Sequence, residues 1–288
     1  MNICFIGGDR RMLYTARRMA ELHPVRTYGL PQGAPFPVTA ADAALAGADF
    51  IILPLPATRD GLHPRFAPDC GFPPPSFAEI FAGAGAGARI LGGALPEGLI
   101  AEAQARGLCI TDYYTGEPIL LRMAEATAEA AVGMAIAELP VTLAGSEVAI
   151  VGYGRIGRAL LRLLLAFRAR VTVYARAPTA RADAEAAGAR VLPCPAGEEL
   201  ALPRALRAVF HTAPAPLFWN AAATARLPQG CLLLDLAGGA LDTAAADACG
   251  ILHPSALALP GRFSPESAGD CLFEEILTLI TPEGGAHP

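Results

Sequence analysis

The chain of 288 residues contains no lysine, so all 22 of its Lys+Arg positions are Arg. Schiff-base catalysis, anchoring of pyridoxal phosphate and the lysine of a P-loop are thereby excluded. Charge is scarce at 17%, the net charge is −5, and Arg occurs singly or in pairs such as Arg10-Arg11 and Arg17-Arg18. Nothing resembles the basic stripe that tracks a nucleic-acid backbone, and no nucleic-acid partner is expected. No apolar run reaches the ~18 residues of a membrane span, so no membrane partner is expected either. The seven cysteines are an odd number, lack C-x-x-C spacing and lie mostly in apolar runs, which points to buried thiols in a reducing compartment. Residues 1–8 pass from Met directly into a strand-like run without a basic, apolar leader, so a cytoplasmic location is expected. His23, His63 and His287 show no metal-ligand spacing, and no metal is expected.

What is present is apolar: 53% hydrophobic residues in a chain long enough for two cores. Strand-like runs at 2–6, 25–30, 48–55, 89–93 and 109–113 alternate with helical patterns at 9–22, 76–84 and 96–107. They predict a parallel-sheet domain, with a long Pro- and Gly-rich loop from Pro54 to Pro75 of the kind that often carries function. An Ala-rich segment free of Pro after Pro118 predicts a linker helix over 119–139. Further strands are expected at 147–151, 170–174, 208–212, 232–236 and 250–253, and a closing amphipathic helix at 265–280. The expected architecture is α/β with two doubly wound parallel-sheet domains. The first, flavodoxin-like and substrate-binding, comprises 1–118 plus 265–288; the second, over 140–264, is a Rossmann dinucleotide-binding domain; the C-terminal helix returns to the first.

Strand 147–151 runs into Gly152-Tyr153-Gly154-Arg155-Ile156-Gly157 and then an apolar helix, which is the context that gives a G-x-G-x-x-G its mechanical roles. Gly152 suits a tight turn, Gly154 close approach of a pyrophosphate, and Gly157 close helix–strand packing, with Arg155 and Ile156 opening the helix whose N–H groups face the phosphates. NAD-binding turns usually place an acidic residue about twenty positions later. This chain reads Tyr174-Ala175-Arg176 there, so Arg176 is assigned to a 2′-phosphate and NADP is expected over NAD. Thr212, Ala213 and Pro214, at the end of the next strand, are expected to border the ribose and nicotinamide.

Taken in order, these segments resemble the A-subunit family of dipicolinate synthase. The matching residues are Gly7-Gly8-Asp9 with Arg11, Leu53-Pro54, the Thr127/Glu129 pair, the dinucleotide turn, Asp235-Leu236-Ala237, and Leu259-Pro260-Gly261 followed by Pro265 and Ala268-Gly269. Met123, Ala126 and Ala130 stand where that family typically has Asn, Pro and Gly. The resemblance implies NADP-linked oxidation of a dihydrodipicolinate-type precursor in the mother cell of a spore former, in partnership with the B-subunit of dipicolinate synthase; self-association is also expected. It implies a small dicarboxylate substrate lying between the domains against Gly8, Asp9 and Arg11. Glu129 or Asp235 would take the proton, with Thr127 orienting a carboxylate or water. Two other readings stand beside this one. D-2-hydroxyacid dehydrogenases share the two-domain plan, but they need a His near the chain end where this sequence has Leu259-Pro260-Gly261. A non-catalytic NADP-binding regulator or scaffold would keep the fold without the chemistry.

Overall fold

The computed structural model describes residues 1–68, 70–194 and 200–281. The end of the expected returning segment, 282–288 with His287, lies outside them. The chain divides into two units, 1–123 with 260–288, and 124–259.

The first unit is built on five parallel strands, β1 (Ile3–Ile6), β2 (Val25–Tyr28), β3 (Phe50–Ile52), β4 (Arg89–Gly92) and β5 (Cys109–Asp112), in the order β2-β1-β3-β4-β5. All four β1 residues are buried, because helices cover both faces of the sheet. One face carries α1 (Arg10–Ala20), the start of α5 (Glu117–Glu138) and α11 (Pro265–Ile280), through Met12, Ala16, Met19, Ile119, Leu272 and Ile276. The other carries α2 (Ala41–Leu45), α3 (Phe77–Gly83) and α4 (Glu97–Ala105), through Leu45, Phe77, Ile80, Phe81 and Leu99. Asp9 caps α1 by accepting a hydrogen bond from the Arg11 N–H, and Ser76 with Glu79 forms a reciprocal capping box on α3. The closing helix does return to this unit: α11 packs on α1, where the Thr15 hydroxyl donates to the Gly269 carbonyl at 3.0 Å.

The second unit has the strands β6 (Glu147–Val151), β7 (Arg170–Ala175), β8 (Arg190–Pro193), β9 (Leu206–His211) and β10 (Leu232–Asp235), in the order β10-β9-β6-β7-β8 and all parallel. Counted from β6, this is the 3-2-1-4-5 order of a Rossmann sheet, with its reversal between β6 and β9. The later part of α5, α6 (Arg155–Ala166) and α7 (Pro178–Ala186) cover one face. On the other face, Trp219, Leu227, Ala246 and Ile251 form a core with α8 (Ala221–Thr224) and α9 (Thr243–Ala248); α10 (Leu259–Phe263) is a short turn before α11.

The fifth strand of this sheet differs from expectation. Residues 250–253 make only an isolated bridge, Leu232 to Leu252, and the edge is instead supplied by β8. The sequence Arg190-Val191-Leu192-Pro193 carries no apolar run because an edge strand buries little, and none of its residues is fully buried. Helices α2, α7, α8 and α9 were likewise not read from the sequence; they are short and Ala-rich, without a strong apolar stripe. Among the described residues, no helix is long and apolar enough to cross a membrane, and no His, Cys, Asp and Glu group could hold a metal.

Candidate functional site

In the second unit, the β6 backbone turns at Gly152 with φ +98°. A Cβ there would lie 2.6 Å from Thr212 Oγ1 and 2.9 Å from the Ala213 amide nitrogen, while a Cβ on Gly157 would come within 2.5 Å of the Gly152 carbonyl. These two positions let strand, turn and helix close on one another, and only glycine meets both demands. Gly154 is the N-cap of α6 and supplies no side-chain cap, so the first-turn N–H groups receive no help from it. A Cβ on Gly154 would meet nothing within 4 Å. An uncapped helix start beneath open space is suited to a pyrophosphate, and the residues present therefore fit a dinucleotide. Arg155 and Ile156 open the helix, as the motif requires.

Beside this turn is a pocket of about 500 Å³, lined by Val151, Arg176, Leu202, Ala213–Asn220 and Arg226 among others. Arg176 follows the end of β7 and is exposed, whereas Tyr174 is buried and donates its hydroxyl to the Ala201 carbonyl at 2.6 Å. None of the described residues lining the pocket is acidic. Thr212 donates its backbone N–H to the Val151 carbonyl at 2.8 Å, which fixes Thr212, Ala213 and Pro214 against the turn. His211, fully buried, orders the loop that follows. Trp219 Nε1–H donates to its Nδ1 at 3.1 Å, so Nε2 carries the proton and donates to the Ala213 carbonyl at 2.8 Å. Burial lowers its pKa, against the pull of Asp235 and of the Ala213 hydrogen bond, which keeps the ring neutral.

The three expected catalytic residues have separate surroundings. Both carboxylate oxygens of Asp235 accept loop N–H groups, from Gly238 at 2.9 Å and Ala240 at 2.8 Å, so Asp235 holds the turn after β10. Glu129 is exposed and shares a groove with Glu125, Ala159, Arg162 and Leu163, beside the second and third turns of α6 and not at its N-terminus. Thr127 lies half-buried on α5 with a polar partner of its own.

In the first unit, the chain reversal falls between β1 and β3, and the segments after β1, β2 and β3 meet at their carboxyl ends. Gly8 pairs with Phe66 as an isolated parallel bridge, and Thr58 with Pro64 as an antiparallel one, so the loop after β3 folds back over β1. Arg11 is not a surface cation: its side chain is 7% exposed, and its Nε and Nη2 grip Asp9 at 3.0 and 2.8 Å while Nη2 also donates to the Leu55 carbonyl. Burial raises the Asp9 pKa, but the Arg11 hydrogen bonds and the charges of Arg11 and Arg65 outweigh it and hold the carboxyl below its ordinary value. Gly8 is buried behind this pair.

In front of Asp9 is a pocket of about 480 Å³, lined by Arg10, Pro31, Arg59, Asp60, His63, Arg65 and Phe66 among others. Arg65 approaches Asp9 at 3.6 Å. Among the described residues of the lining both carboxylates are committed, Asp9 to Arg11 and Asp60 to His63, beside three arginines. Arg59, His63 and Arg65 were not singled out from sequence. Their only local signal was the length of the Pro- and Gly-rich loop that carries them.

A basic pocket at one reversal point and a glycine turn at another mark a two-unit α/β protein whose second unit is a dehydrogenase-like, dinucleotide-binding domain. Residues 2–114 match the N-terminal domain of the dipicolinate synthase A-subunit, and residues 121–198 the NAD-binding domain of the D-isomer specific 2-hydroxyacid dehydrogenases. The dipicolinate synthase A-subunit of Bacillus subtilis (strain 168) is 26% identical over 97% of this chain and 96% of that one. Along nearly its whole length the chain is thus similar to dipicolinate synthase A-subunits, and its second unit carries an NAD-binding domain of the 2-hydroxyacid dehydrogenase type. The fold agrees with that of the dipicolinate synthase A-subunit from Bacillus halodurans, at TM-score 0.81 and 22% identity with 98% of each chain covered. D-lactate dehydrogenase of Escherichia coli shares the fold at TM-score 0.65 and 14% identity, with 97% of this chain and 96% of that one covered.

Proposed function

We propose that this protein works as the A-subunit of a dipicolinate synthase, oxidising a dihydrodipicolinate-type precursor to the aromatic pyridine dicarboxylate with a nicotinamide dinucleotide. The observation that carries the reading is the presence, in one chain, of an uncapped glycine turn suited to a dinucleotide and an arginine-lined pocket suited to a dicarboxylate. Asp9 lines that pocket, and the buried Arg11 beside Gly8 and Asp9 fixes the Asp9 carboxylate so that the lining arginines keep their charge for substrate. Gly152, Gly154, Arg155, Ile156 and Gly157 hold the pyrophosphate, and Thr212, Ala213 and Pro214 border the next part of the cofactor. NADP is preferred over NAD, because Arg176 stands where a ribose-binding carboxylate otherwise would. The family resemblance supports partnership with a dipicolinate synthase B-subunit and a location in the cytoplasm of a spore-forming mother cell.

The test mixes the purified chain, with and without a co-expressed B-subunit, with NADP and freshly generated precursor, and follows pyridine absorbance and NADPH together. Both signals are expected when the B-subunit is present; oxidation of a 2-hydroxy acid instead would favour the dehydrogenase reading. In a binding assay, Arg176→Ala is expected to weaken NADPH about tenfold or more, the worth of a hydrogen bond to a charged group, and to leave NADH nearly unchanged. Equal affinity of the native chain for the two cofactors would refute the NADP assignment.

A further inference from the structure

The Pro- and Gly-rich loop after β3 does more than wall the basic pocket. Asp60 is held rigidly by that loop: its Oδ1 accepts the backbone N–H groups of Leu62 at 2.8 Å and His63 at 2.9 Å and the Thr58 hydroxyl at 3.1 Å. Its Oδ2 meets His63 Nδ1 at 2.9 Å. An ionised carboxylate accepts only, so this contact places a proton on Nδ1 and makes Nε2 the basic nitrogen of a neutral ring. Among the described residues Nε2 has no hydrogen-bond partner, and the ring, 39% exposed, lines the pocket together with Arg59 and Arg65. The hydrogen bond from His63, followed by the backbone bonds, lowers the Asp60 pKa, so the carboxylate stays charged throughout the neutral range.

We propose that this pocket is a dicarboxylate site in which Arg59 and Arg65 hold substrate carboxylates and His63, oriented by Asp60, accepts the proton released on oxidation. The inference rests on the oxidation reading above and deepens it. The substrate ring must lose two electrons and two hydrogens to become aromatic. A nicotinamide dinucleotide held at the Gly152–Gly157 turn would supply the oxidant, taking one hydrogen with its bonding pair. The other leaves as a proton to His63 Nε2, and the pair that held it becomes the new ring double bond. Asp60 stabilises the imidazolium so formed, and is a positioning residue. Planar, bidentate guanidinium groups suit two carboxylates on one ring. The assignment accounts for a His–Asp pair in a pocket whose described lining sets three arginines against two committed carboxylates.

The experiment uses the full chain in two arms. Calorimetry measures binding of pyridine-2,6-dicarboxylate, and turnover is followed with precursor, NADP and the co-expressed B-subunit. Native protein is expected to bind the dicarboxylate, and Arg59→Ala to weaken it at least tenfold. His63→Gln is expected to bind within threefold of native while kcat falls at least about 100-fold, the usual weight of a general base. The rate lost in His63→Ala should be partly restored by added imidazole, which a structural role would not allow. Asp60→Asn should keep the dicarboxylate affinity and lose about tenfold in kcat. Near-native turnover in His63→Gln would overturn the inference and leave the oxidation reading standing. A native chain that binds the dicarboxylate through Arg59 but never turns over would remove the oxidation reading and the role of His63 with it. A native chain that turns over yet binds no differently in Arg59→Ala would remove the pocket assignment alone.

Discussion

Replacing Arg11 by Met keeps most of the buried stem and deletes the guanidinium, leaving the Asp9 carboxylate without the partner that grips it at 2.8 Å. Breaking a buried pair in this way costs about 3–5 kcal/mol, because one charge stays desolvated. Here the cost should sit near the lower end, about 3 kcal/mol, since Asp9 is 20% exposed and Arg65 remains 3.6 Å away. In a unit of this size about 3 kcal/mol corresponds to a Tm roughly 6–12 °C lower. Differential scanning calorimetry of Arg11→Met, Asp9→Asn and the double variant gives the cycle. If the pair acts as a unit, the double variant should be destabilised by less than the sum of the singles, by about 1–2 kcal/mol. The pH dependence has a definite sign. The folded pKa of Asp9 lies below its unfolded value of about 3.9, so its contribution is complete above that pH and is lost as pH falls through the folded pKa. Native protein should show that acid loss and Asp9→Asn should lack it. A cost for Arg11→Met below about 1 kcal/mol, together with a large loss of dicarboxylate affinity, would refute the reasoning and make Arg11 a direct substrate ligand.

Two further outcomes follow from the second unit. Gly152→Ala puts a Cβ 2.6 Å from Thr212 Oγ1 at a φ of +98°, so it should lower stability by about 1–3 kcal/mol and abolish dinucleotide binding in a fluorescence titration; unchanged binding would contradict the placement of the turn. Glu129→Gln should leave kcat within about threefold of native, because an exposed carboxylate beside the body of α6 is not desolvated for proton transfer; a collapse in turnover with intact cofactor affinity would restore Glu129 as the base.

The first sheet, four strands of the second and the glycine turn were legible from local pattern. β1 and β6 are short apolar runs followed by glycine and a helix with an apolar stripe, and each of those signals is complete within about twenty residues. The exchange of β8 for residues 250–253 was not legible, since Arg190–Pro193 has the composition of a loop and becomes a strand only because β7 offers it a free edge. Asp235 and Glu129 illustrate a different limit. A carboxylate at a strand end reads the same whether it faces a ligand or caps Gly238 and Ala240, and one on a helix reads the same on either side.

Sequence by itself determined the class of each unit, the dinucleotide turn and the absence of an acidic residue after β7, because strand–turn–helix geometry and the space demands of glycine are local properties of the chain. The tertiary structure alone decided which polar groups share a pocket. Arg10 follows β1, while Arg59, His63 and Arg65 belong to a loop after β3. They converge because β1 and β3 are neighbours at the reversal of the sheet, and because the bridge from Gly8 to Phe66 folds the loop back over the strand end. Adjacency of that kind depends on strand order, which is settled by the burial of whole helices on both faces and not by any residue in the site.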